Sequence, residues 1–138
     1  MTGREHELMK TNWSIGEEIP ILTKTAFAPV EKDARNPIHT DEYARAHGLR
    51  GALIPGSILL SYVLEMLYRT FAGNWLTSGR IRVSFIGGGA INGDRLTAHG
   101  RVKAWEEEGQ GRRVFLDLWL ENQEGVKILV GEASCLIS

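Results

Sequence analysis

The chain has 138 residues, 43% of them hydrophobic and 24% charged, with a formal net charge of -1 at pH 7. That length suits one domain spanning 1–138, and the near-neutral balance gives no electrostatic reason to expect a nucleic-acid partner. Cys135 is the only cysteine, which excludes an internal disulfide and a cysteine-built metal cluster and fits a reducing, cytoplasmic setting.

Residues 1–15 begin polar and mixed in charge, without the basic start and apolar centre of a secretory signal, and read as a flexible tail. Residues 19–27 are short and partly alternating between Pro20 and Pro29, which suggests an edge strand. Residues 28–37 carry two prolines with charges between them, and proline disfavours helical geometry in the residue before it, so this stretch reads as a loop delivering His39. Thr40 is a suitable N-cap, Asp41 and Glu42 place negative charge in a first helical turn, and Gly48 can end the helix, predicting a short helix over 41–47. Gly48, Leu49, Arg50 and Gly51 then connect to Ala52, Leu53 and Ile54.

The most apolar run, 54–72, approaches membrane-spanning length, but it contains Ser57, Ser61, Glu65 and Arg69. On a helix these four, recurring every fourth residue, form one narrow polar stripe, and the remaining positions are expected to be buried nearly all round. The run therefore reads as a core helix rather than a membrane span. Glu65 and Arg69 make a favourable i,i+4 pair, and Gly73 with Asn74 marks the expected end.

The second half is patterned for strands. In residues 80–86, Ile81, Val83 and Phe85 alternate with Arg80, Arg82 and Ser84. The glycine triplet 87–89 lacks the lysine-serine ending of a phosphate loop and does not open a helix, so it reads as a bulge or a close backbone approach. Further strands are expected over 96–105, 113–121 and 126–137, joined by hairpin loops at 106–111 and 122–125. This predicts an α+β class, a meander of antiparallel strands wrapped around one long helix. Trp105, Phe115 and Trp119 read as core or dimer-interface residues. His6, His47 and His99 read as surface or structural. No histidine spacing makes a metal site, so neither a metal nor a cofactor is expected.

Asn36-Pro37-Ile38-His39-Thr40-Asp41, then Tyr43-Ala44 and Gly48, then Gly56 with Ser61, and lastly Gly93-Asp94-Arg95-Leu96-Thr97 resemble the MaoC-like dehydratase and (R)-specific enoyl-CoA hydratase branch of the hotdog fold. The resemblance covers roughly residues 19–137. It implies an antiparallel sheet wrapped around a long central α-helix, dimers that join two sheets, and an acyl-CoA or other acyl-thioester substrate near the helix N-terminus. It also implies that His39 is the catalytic histidine and that the Gly56 N–H holds the thioester oxygen. Asn36, Pro55, Ser57 and Ser61 are then substrate-binding positions. The chain departs from the family where Ala34 stands in place of the Asp that works with the histidine, and where Pro55 precedes Gly56 in place of a common His.

Hydrating an enoyl thioester needs a proton taken from water, a proton given to the α-carbon, and stabilisation of enolate charge on the thioester oxygen. Unsatisfied N–H groups and the dipole at a helix start serve the last task. A positioned proton-transfer group contributes about 10²–10⁴-fold in rate. Ala34 cannot supply one, which leaves His39 acting alone or with Asp33 or Asp41. The expected function is that of an enoyl-CoA hydratase or 3-hydroxyacyl dehydratase, acting as a homodimer or higher homo-oligomer. The alternatives are a non-catalytic acyl-CoA-binding or structural subunit, and a thioesterase, for which Glu65 lies deep in the helix.

Overall fold

A computed structural model of the chain describes residues 10–29, 41–48 and 50–138. Asn36, His39, the expected Thr40 cap and Leu49 lie outside the described residues, as do 1–9 of the expected tail. Within the rest of that tail, Trp13 is already buried, its ring 5.7 Å from that of Phe71. Packed chain thus begins before residue 15.

In chain order the elements are β1 (Leu22–Thr25), α1 (Asp41–Ala46), α2 (Gly56–Phe71), α3 (Gly73–Ser78), β2 (Arg80–Phe85), β3 (Arg95–Glu108), β4 (Gly111–Glu121) and β5 (Lys127–Ile137). The strands form one antiparallel sheet in the order β1-β3-β4-β5-β2. Only β3, β4 and β5 are a true meander. These long strands, joined by tight turns, pair with one another and leave only the outer edges for β1 and β2. The expected 106–111 hairpin loop contracts accordingly. Pairing continues to Glu108 and Gly111, and Gly109 takes a positive φ of 60° to close the turn. In the second loop, the Asn122 side chain accepts the Glu124 and Val126 N–H groups at 2.9 and 3.1 Å.

Alternation sorts the two sheet faces. On β4, Val114, Leu116, Leu118 and Leu120 are buried in the core with Leu96, Ala98 and Val102 of β3 and Leu129, Ala133 and Cys135 of β5. Phe115 and Trp119 fall on the opposite face, where Trp119 stacks on His99 with ring centroids 5.0 Å apart. Trp105, paired with Val114 past the register shift in β3, is 39% exposed beneath the Arg112 guanidinium. None of the three belongs to the core. His99 is also bonded to Glu121 at 2.9 Å, and His47 to the Tyr43 carbonyl at 2.9 Å, both structural contacts.

Helix α2 meets the sheet through Leu59, Val63, Met66, Leu67 and Phe71, which are the buried residues of the helix. The expectation of burial nearly all round does not hold among the described residues. Ile58, Leu60, Tyr62 and Leu64 are half-buried, and Tyr68 is exposed. A sheet can curl over only one side of a helix, so the apolar positions on the flanks stay partly open. The polar stripe is as the spacing predicts, with Ser57, Ser61 and Arg69 exposed and Arg69 paired to Glu65 at 2.8 Å. At Ala72 (φ 47°) the chain turns, but Gly73 and Asn74 open a further helix, α3, rather than ending helical structure.

The turn over residues 90–94 joins two distant segments. On one side, Ala26 N–H donates to the Asp94 carbonyl (2.7 Å), and Asn92 exchanges two side-chain bonds with the Ala28 backbone (2.7 and 2.9 Å). On the other side, Ile54 N–H donates to the Ala90 carbonyl (2.7 Å), and Arg50 forms a forked pair with the buried Asp94 carboxylate (3.2 and 2.9 Å). Ile91 N–H and the Gln123 amide also donate to that carboxylate, at 2.9 and 3.0 Å. The turn therefore holds the chain on both sides of residues 30–40 and sets the approach to α2.

Burial alone would raise the Asp94 pKa, but the Arg50 guanidinium, the Ile91 N–H and the Gln123 amide outweigh it and hold the carboxyl below its ordinary value of 3.8. A group depressed in the folded state contributes stability above its unfolded pKa, and that stability is lost as pH falls through the folded value. Asp94→Asn should therefore lower stability at pH 7 by about 1–3 kcal/mol and flatten the acid limb below about pH 4. Urea denaturation midpoints measured from pH 2 to 7 check both effects. Burial also pushes the Cys135 thiol up to about 12, with Arg113 opposing weakly. Cys135 should resist a thiol reagent in the native protein at pH 8 and react fully in denaturant, as a colorimetric thiol titration would show.

Candidate active site

Helix α2 begins at Gly56 because Pro55, with φ -56° and ψ 141°, is held in extended geometry and cannot itself donate. The Pro55 carbonyl accepts the Ile58 and Leu59 N–H groups at 3.0 and 3.3 Å. Among the described residues, the Gly56 and Ser57 N–H groups find no acceptor, no side chain caps the helix, and its first turn holds no acidic residue. Among the described residues, the positive end of this 16-residue helix thus carries N–H groups and a dipole that would favour an anionic or polarised oxygen.

The ring of Phe85, at the end of β2, lies over Gly56. A Cβ added at Gly56 would sit 2.9 Å from Phe85 Cζ. The ring and the glycine thus pack closely, a contact invisible in the sequence because the two residues lie far apart along the chain. Pro55 is half-buried and Ser57 exposed. The Ser61 hydroxyl donates to the Ile58 carbonyl at 2.6 Å, so it is turned back onto its own helix. Of the six expected site residues, Gly56, Ser57 and Ser61 fall on the first turns of α2 and Pro55 immediately precedes it. Asn36 and His39 lie outside the described residues.

Further along the polar stripe, Glu65 is bound by Lys24 at 2.9 Å and Arg69 at 2.8 Å. The Lys24 hydrogen bond, against a smaller burial effect and with Arg69 adding to it, holds its carboxyl below the ordinary range. Asp41 is engaged too, accepting the Ala52 N–H at 2.9 Å. That contact fixes the connection from α1 toward α2. The residues that sequence reasoning did not single out are Phe85, Arg50 and Asn92. Of this group of contacts only the Gly93-Asp94 pair had signalled itself, as part of the motif.

Among the described residues, cavities of about 290 and 360 Å³ lie at the sheet. Their linings include Arg82, Phe115 and Ser134 in one and Arg101, Trp119 and Lys127 in the other. Cross-strand ion pairs such as Lys103 with Asp117 and Glu132 occupy the charges there. Among the described residues, no group of three or more His, Cys, Asp or Glu side chains is placed to hold a metal ion, and no helix is long and apolar enough to cross a membrane.

Neither a family model nor a curated protein matches the sequence. Solved structures do match in shape. The (R)-hydratase from A. caviae involved in PHA biosynthesis superposes with a TM-score of 0.73 at 21% identity, covering 94% of this chain and 100% of that one. The MaoC-like dehydratase from Rhodospirillum rubrum does so at 0.70 and 16% identity, covering 90% of this chain and 92% of that one. A chain of the HadBC (3R-hydroxyacyl-ACP dehydratase) complex from Mycobacterium tuberculosis matches at 0.59 and 18% identity, covering 93% and 99%. The chain accordingly has the hotdog fold, in the form shared by the (R)-hydratases and MaoC-like dehydratases.

Proposed function

We propose that this protein acts on acyl thioesters as a hydratase or dehydratase, adding water across a 2-enoyl thioester or removing it from a 3-hydroxyacyl thioester. The observation that carries this reading is the open N-terminus of α2 at Gly56, on a scaffold shared with hydratases and dehydratases. In the hydration direction, the thioester oxygen accepts the Gly56 N–H. Water adds its oxygen to the β-carbon, the α-carbon takes a proton, and the negative charge that develops on the thioester oxygen meets the helix dipole. His39, with an intrinsic pKa near neutrality, exchanges the protons. Asn36, Pro55, Ser57 and Ser61 border the thioester in this reading. The substrate is an acyl-CoA or another acyl thioester.

The missing carboxylate at position 34 weakens proton transfer. Asp41 is a poor replacement, since its Oδ1 already holds the Ala52 N–H. A second reading follows from that gap: a hotdog subunit that binds acyl-CoA without turning it over. The thioesterase alternative is disfavoured by Glu65, whose carboxylate is neutralised by Lys24 and Arg69 rather than free to work on a thioester. We also place the working form as a homodimer or higher homo-oligomer. The unpaired outer edge of β2, ending in the exposed Phe85 and Ile86, is consistent with such pairing.

A panel of 2-enoyl-CoA thioesters, followed at the loss of enoyl absorbance, tests the reading. Measurable hydration is expected in the wild type, falling about 10²–10⁴-fold in His39→Ala. Ala34→Asp should raise turnover by restoring the absent carboxylate. Turnover unchanged in His39→Ala would remove the catalytic role of that residue. Acyl-CoA binding with no hydration in either form would favour the non-catalytic reading.

A further inference from the structure

Phe85 has one side committed and the other open. Its ring is in van der Waals contact with the Gly56 backbone, as the three closest approaches to an added Cβ, 2.9, 3.2 and 3.2 Å, all come from this ring. Yet the residue is 53% exposed and is followed by Ile86 at 39%. The backbone beneath it is well fixed. Phe85 pairs with Leu129, and Ile86 N–H donates to the Ile128 carbonyl at 3.0 Å. Gly87, at φ 67°, then turns the chain against the Lys127 carbonyl so closely that a Cβ there would lie 2.9 Å from that oxygen. The backbone that presents the ring to Gly56 is thus held in place by its strand.

A thioester whose oxygen meets the Gly56 N–H has its carbonyl carbon one bond away. The first carbons of its acyl chain must therefore pass the atoms that surround Gly56. We propose that Phe85 forms the wall of the acyl site beside Gly56 and limits the length of acyl chain accepted. This inference rests on the reading of Gly56 as the thioester-oxygen donor. Neither the motif nor the spacing of the chain pointed to Phe85, which read in sequence as one apolar position of an alternating strand.

Calorimetric titration of the full chain with butyryl-, octanoyl- and dodecanoyl-CoA tests it without requiring turnover. Phe85→Ala should raise the octanoyl-to-butyryl affinity ratio about tenfold, roughly the gain from burying two further methylenes. Phe85→Trp should move the ratio the opposite way. Phe85→Leu, a smaller perturbation of the strand, should lie between Phe85→Ala and the wild type, and far-ultraviolet circular dichroism verifies that each variant is folded. If folded variants bind all three ligands with an unchanged ratio, Phe85 is not the limiting wall, while the thioester reading stands. A ratio that falls in Phe85→Ala would also overturn the proposal. If the wild type binds no acyl-CoA of any length, the thioester reading fails and the proposal fails with it.

Discussion

The forked pair between Arg50 and the buried Asp94 carboxylate is the constraint on which the candidate site depends. A buried carboxylate is costly unless its charge is compensated and its lone pairs are filled, and here a guanidinium, a backbone N–H and a side-chain amide fill them. The turn that carries Asp94 also binds Ala26 and Ala28 through backbone and Asn92 contacts. One short turn before β3 thereby fastens two segments far apart in sequence. Without it, the connection from Arg50 to Ile54 would rely on the Asp41 contact with the Ala52 N–H to set its path into Pro55 and Gly56.

That arrangement separates what the site can do by electrostatics from what it can do by proton transfer. The electrostatic part needs only backbone: an open helix start, no opposing acid in the first turn, and a glycine that permits close approach. Such a feature survives side-chain drift, because it depends on where the helix begins. Proton transfer needs titratable side chains at set positions. Ala34 has no such group, and Asp41 and Glu65 spend their charge on structural partners. Asp41 and Glu65 are thus part of the scaffold, and Asp33 lies outside the described residues.

Much of the fold was legible because alternation and helical periodicity report burial directly. The strand faces of β4, the polar stripe of α2 and its Glu65–Arg69 pair all follow from local spacing. Where reading failed, the reason was non-local. The long helix ends at Phe71, beside the expected Gly73 and Asn74, yet the separate helix α3 that starts at once after the Ala72 turn was not foreseen. The flanks of α2 look fully apolar, yet a sheet reaches only one side of it. Trp119 read as a core or interface residue, and of these the core is excluded because the face it shares with Phe115 is turned away from it.

By itself the sequence determined the α+β class, the long central helix starting at Gly56, and the set of residues whose motif resembles a thioester site. Those features depend on periodicity, on proline and glycine backbone limits, and on residue identity at short spacing. Only the tertiary structure decided the order in which the strands pair, the role of Asp94 as the tie between two segments, and the placement of Phe85 over Gly56. Each of these is a contact between residues distant along the chain, and no local pattern encodes which distant partner a side chain will meet.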